Sequence, residues 1–134
     1  MKSIEELPGT LVLLRPNDHP ALQNKIGTIT SELFEGNTVI VNLGRSGQLT
    51  LPITEAFVLQ DPEEIEKAAK LDGTLLPFCA FADVIECARL ANSAFKEERI
   101  VAIEISRKDP DVFEYTMERL DHALGLSQYH QMSR

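Results

Sequence analysis

Ala56-Phe57-Val58-Leu59-Gln60-Asp61-Pro62-Glu63-Glu64 is the stretch in which the chain changes its period. On its N-terminal side, from Gly9 to Leu59, short apolar or alternating runs recur between turn residues, which is the pattern of strands. On its C-terminal side apolar residues recur every three or four positions, the pattern of helices. The spacing therefore predicts an α+β chain, with strands first and helices after Asp61.

The strand half reads run by run. Thr10-Leu11-Val12-Leu13-Leu14, entered from Pro8-Gly9 and left at Pro16-Asn17-Asp18, is continuously apolar, as suits a strand covered on both faces. Ile26-Gly27-Thr28-Ile29-Thr30 places a glycine where the strand must bend or let another backbone come close. Glu35-Gly36-Asn37 is turn chemistry, because Gly and Asn accept a positive φ. Thr38 to Leu43 alternates, with Val39, Val41 and Leu43 on one face, and Gly44-Arg45-Ser46-Gly47 turns the chain into Gln48-Leu49-Thr50-Leu51. Pro52 cannot donate to a ladder and ends that strand, and a fifth runs from Ala56 to Leu59.

Five strands within about 50 residues expose sheet edges unless the sheet curls up. Gly9-Thr10-Leu11-Val12, the long first loop, Lys25-Ile26-Gly27-Thr28-Ile29 and the hairpin into Thr38-Val39-Ile40-Val41 resemble the SH3-like barrels of the KOW and Tudor kind, over Leu7 to about Leu59. The resemblance implies a five-stranded SH3-like barrel in residues 1–60. A KOW-type barrel implies nucleic-acid or ribosome contact, and a Tudor-type barrel a peptide held in an aromatic cage. The aromatic residues of this region are Phe34 and Phe57, with no Tyr or Trp for a cage.

Charge bears on the choice of partner. Residues 1–60 carry four basic and six acidic side chains, and residues 61–134 carry nine and fifteen, for a formal net charge of −8. Nucleic-acid affinity rests on neutralising phosphates, so so acidic a chain repels a polyanion at long range. The cations available for a local ligand-binding patch are Arg15 and Lys25, on or beside the first long loop, His19 within it, and Arg45 in the following turn.

The helical half announces its starts. Asp61-Pro62-Glu63-Glu64 supplies an N-cap acceptor, proline at the first helical position and acid at the positive end of the dipole. Asp72-Gly73 stops this helix, and a second start comes at Thr74 to Pro77. Phe81, Val84, Ile85, Ala88, Ala91 and Phe95 then share one face, opposite Asp83, Glu86, Arg89, Asn92 and Lys96. Ala80, Cys87, Leu90 and Ala94 widen the apolar surface beyond one stripe, which requires either a central place in the fold or a covering chain, and they mark the candidate interface with a homodimer mate or another protein. Asp109-Pro110-Asp111 opens a last helix running through Phe113, Met117, Leu120 and Leu124 to Gly125. Arg99 to Ser106 alternates like a strand, but no Gly or Pro lies between Pro77 and Pro110 to turn the chain, so helix is preferred, with a break near Glu97-Glu98. The expected organisation is a barrel in 1–60, a helical unit in 61–125 packed on it, and a polar tail in 126–134.

Motifs with chemistry are few. Cys79 and Cys87 lie eight residues apart on one predicted helix, ~12 Å along its axis and too far to bridge, and read as buried reduced thiols. His122 and His130 are not placed beside either by spacing, so no nucleophile–base pair is predicted. Asp83 and Glu86 with His122 are the one conceivable metal grouping, and an exposed polar face is the preferred reading of the two carboxylates. No catalytic residue, metal or cofactor is assigned. No stretch approaches the ~18 apolar residues of a membrane span and Met1 to Glu5 lacks a signal-like apolar core, so a cytoplasmic setting is expected. Three classes of function follow: a non-enzymatic protein-interaction module, a nucleic-acid- or ribosome-associated factor, and a small SH3-barrel hydrolase or ribonuclease using Arg15, His19 and Arg45. The acidic balance and the lack of a catalytic grouping favour the first.

Overall fold

Residues 7–33, 37–72 and 75–125 are described by a computed structural model. Strands β1 (Leu11–Leu14), β2 (Ile26–Leu33), β3 (Thr38–Asn42), β4 (Gln48–Pro52) and β5 (Ala56–Leu59) coincide with the five expected runs. They are followed by helices α1 (Pro62–Asp72), α2 (Phe78–Ala91), α3 (Lys96–Lys108) and α4 (Pro110–Thr116), a sixth strand β6 (Met117–Arg119) and a short helix α5 (Leu120–Ala123). The strands form one antiparallel sheet in the order β4-β3-β2-β1-β5-β6. Phe34, the Glu35-Gly36 part of the expected turn, the Gly73 stop, the Thr74 start and the 126–134 tail lie outside the described residues. No helix among the described residues is long and apolar enough to cross a membrane.

The described residues form two compact units, Leu59–Met117 on the one hand and the stretches before and after it on the other. In the sheet unit β1 is buried at all four positions, so both of its faces are covered, as its unbroken apolar run requires. Val12 and Leu14 join Ile29, Val39, Val41, Leu51, Ile53, Ala56 and Val58 in one core. Gly27 is required by close approach: a Cβ there would overlap the Val41 side chain and stand 2.9 Å from Leu43 Cδ2 and 3.0 Å from the Asn42 carbonyl. Asn37 supplies the positive φ, +48°, at the entry to β3. Between Ile29 and Ser31 the β2–β3 register shifts by a bulge, which bends the long strand.

In the helical unit both expected caps form. Asp61 accepts from the Glu63 amide at 3.2 Å and Asp109 from the Asp111 amide at 2.9 Å. Ile65 and Ala69 of α1, Val84 and Cys87 of α2, Ala102 of α3 and Val112 of α4 make its core. Asp83, Arg89, Asn92 and Lys96 are exposed, as expected of the polar side of α2 and of the turn that follows it.

Two boundaries differ from the reading of the sequence. The break between the second and third helices falls at Asn92 to Phe95 rather than at Glu97-Glu98. Ser93 makes it: its hydroxyl accepts from the Phe95 amide at 3.0 Å and donates to Glu98 at 2.8 Å, while its carbonyl accepts from Arg99 at 2.8 Å. A serine side chain thus does the turning that glycine or proline was expected to do. Helix α3 then includes all of Arg99 to Ser106.

The second difference is at the C-terminal end. One helix was expected from Pro110 to Leu124, but α4 stops at Thr116 and the chain runs extended before α5. Gln60 causes the stop. Its amide donates to the Thr116 carbonyl at 2.8 Å and its side-chain nitrogen to the Met117 carbonyl at 3.0 Å, taking two acceptors that a continuing helix would give to residues 120 and 121. Leu120 and Ala123 consequently enter the core of the sheet unit instead of extending the helical one.

Gly27→Ala is expected to destabilise the sheet by ~1–3 kcal/mol, because the strand pair cannot move apart without loss of its ladder; urea unfolding checks this, and an unchanged midpoint would refute it. Leu120→Ala, at a position with no exposure, is expected to cost ~2–5 kcal/mol. A loss below ~0.5 kcal/mol in the same assay would remove Leu120 from that core.

Candidate functional site

Three of the four cations singled out in the sequence are brought to one end of the sheet. Leu13 pairs with Ile26 and Thr28 with Asn42, so the end of β1, the start of β2 and the end of β3 lie together at an end that carries Arg15, Lys25 and the Arg45 turn. Arg15 is committed there: its guanidinium lies 5.5 Å from the Phe57 ring centroid and donates to Asn24 Oδ1 at 3.3 Å. Its own amide donates to the Glu55 carbonyl, and the Glu55 carboxylate accepts from the Asn17 amide at 2.8 Å. Gln23 donates to the Pro16 carbonyl, closing the loop on itself. Lys25, His19 and Arg45 are exposed, with Asp18 in the loop of His19 and Glu55 in the turn before β5. This end of the sheet is a braced loop with mixed charge, and Arg15 serves its bracing.

The second sequence-derived set lies inside the helical unit. Ala80, Cys87 and Leu90 are buried in the unit's own core, and only Ala94 is exposed. The width of the apolar surface on α2 is therefore explained by its central position, with α1, α3 and α4 around it, and these three side chains offer no surface to a second chain. Cys87 belongs to a polar cluster within that core. Its thiol lies 3.5 Å from the Ala102 carbonyl and 3.6 Å from Ser106 Oγ. Ser106 donates to the Ala102 carbonyl at 2.8 Å, and Thr116 Oγ1 stands 2.7 Å from Ser106 Oγ and 2.9 Å from the Val112 carbonyl. Burial pushes the Cys87 thiol up to about 11; Ser106 opposes the shift, and Asp83 and Glu86 add to it. A thiol so held is neutral and unreactive at physiological pH.

Cys79 departs from expectation: it is exposed at the start of α2, where a buried thiol was predicted. It sits in the most unusual surface of the unit. Leu71 at the end of α1, Leu75 in the connection and Phe78 at the start of α2 are 77%, 78% and 84% exposed within eight residues of chain. Leu76, partly buried, packs against the core. The corner is held in place from α4, because the Tyr115 hydroxyl donates to Asp72 Oδ2 at 3.0 Å. That bond raises the Tyr115 hydroxyl above its ordinary range, with burial and the Asp72 charge acting in the same direction. A connection bearing Leu71, Leu75, Leu76 and Phe78 is more apolar than a solvated turn needs to be, and this is the signal by which the sequence could have revealed it.

Comparison with protein-family models, curated proteins and solved structures gives no match. The reading of the site thus rests on its own chemistry. Asp83 and Glu86 do not gather a third ligand, since no group of three or more His, Cys, Asp or Glu residues suited to a metal ion occurs among the described residues. In the sheet unit Arg119 makes a bidentate pair with the buried carboxylate of Asp121 at 2.6 and 2.8 Å and stands 3.3 Å from His122 Nε2. That pair fixes the start of α5.

The two thiols are expected to separate cleanly on titration with a colorimetric disulfide reagent at neutral pH. Cys79 reacts in the folded protein and Cys87 only on unfolding, so Cys79→Ser leaves no fast-reacting thiol. Rapid labelling of Cys87 in the native state would contradict its placement. Because folding raises the Cys87 pKa above the unfolded value of 9.0, its neutral form stabilises the fold below pH 9, and this contribution is lost as pH rises from 9 to about 11.

Proposed function

We propose that this chain is a non-enzymatic protein-interaction module whose contact surface is the α1–α2 corner. The observation that carries the reading is the exposure of Leu71, Leu75 and Phe78 together, on a corner anchored by the Tyr115–Asp72 bond. Isolated exposed apolar residues are ordinary, but three large ones within eight residues of chain are the more informative case and support a surface that another protein covers. Anchoring the corner in advance lowers the entropy lost on association. The sheet unit serves as a platform in this reading, and we assign it to the SH3-like barrels. Support comes from β1 pairing with both β2 and β5 and from the single 3-10 turn, Ile53–Glu55, that leads into β5.

A photo-crosslinking amino acid introduced at Leu75 is expected to give discrete protein adducts in cells. The same group at Lys96, exposed at the start of α3, gives few. Phe78→Asp removes the Leu75 adducts without changing the circular dichroism spectrum. Equal adducts from positions 75 and 96, or adducts indifferent to Phe78→Asp, would defeat the proposal.

One observation favours a second reading, contact with nucleic acid: Arg15, Lys25 and Arg45 lie at the same end of the sheet. It predicts binding of short RNA that falls steeply with salt and is lost in Lys25→Glu/Arg45→Glu. Salt-independent or undetectable RNA binding at low ionic strength rejects it.

A further inference from the structure

We draw no further inference here: the strongest candidate, the apolar patch of Leu71, Leu75 and Phe78 with the exposed Cys79 thiol at the α1–α2 corner, belongs to the site already described, and nothing in the structure shows what covers it.

Discussion

The two hydrogen bonds that Gln60 gives to the carbonyls of Thr116 and Met117 decide the course of the C-terminal quarter of the chain. A helix is a queue of acceptors waiting for donors four residues on, and a side chain that takes its place in the queue ends the helix there. Once α4 is stopped, Met117–Arg119 runs extended as β6, and Leu120 and Ala123 are delivered to the core beside Ile53 and Ala56. The Arg119–Asp121 pair then fixes the turn into α5, satisfying a carboxylate only 7% exposed. Gln60 itself sits at the position where strand gives way to helix, so one residue marks both the departure of the chain from the sheet and the point to which it returns.

Inside the helical unit a different economy applies. Three short polar side chains, Cys87, Ser106 and Thr116, occupy a core otherwise made of Ala, Val, Ile and Leu. Each hydroxyl reaches the carbonyl one helical turn behind it, Ser106 to Ala102 and Thr116 to Val112, so neither introduces an unsatisfied group. Their mutual contact ties α3 to α4, and the thiol brings in α2. Small side chains are needed at this place because three helices meet there, and polar ones set the register in which they meet.

Much of this was legible in the sequence. The five strands, both Asp-Pro caps and the need for glycine at position 27 follow from local chemistry, where one residue decides one bond or one contact. The failures share the opposite character. The stop at Thr116 depends on Gln60, 56 residues earlier, and no local pattern contains it. The break at Ser93 was hidden because a hydroxyl acted as turn former in a stretch searched for Gly and Pro. Periodicity recognised the breadth of the apolar surface on α2 but could not say whether helices of the same chain or another molecule cover it. The corner at Leu71, Leu75 and Phe78 was passed over for a related reason: its residues sit between two periodic segments and belong to neither pattern. The four cations were read from the sequence as one local patch around the first long loop, and the strand register adds that the Arg45 turn lies at the same end of the sheet as Arg15 and Lys25.

The partition of the chain carries a consequence for the order in which the molecule is made. The helical unit is a single uninterrupted stretch, whereas the sheet unit is assembled from pieces on either side of it. On a ribosome the helices can close on themselves as soon as Met117 has emerged, through contacts that are mostly near neighbours in sequence. The core of the sheet unit is complete only once Leu120 and Ala123 arrive, and the loop then closed spans the whole of the helical unit. During that interval the face that Leu120 will cover is bare. The prefolded helical insert shortens the effective length of that loop, and so brings the last pieces of the sheet together sooner than an unstructured chain of the same length would.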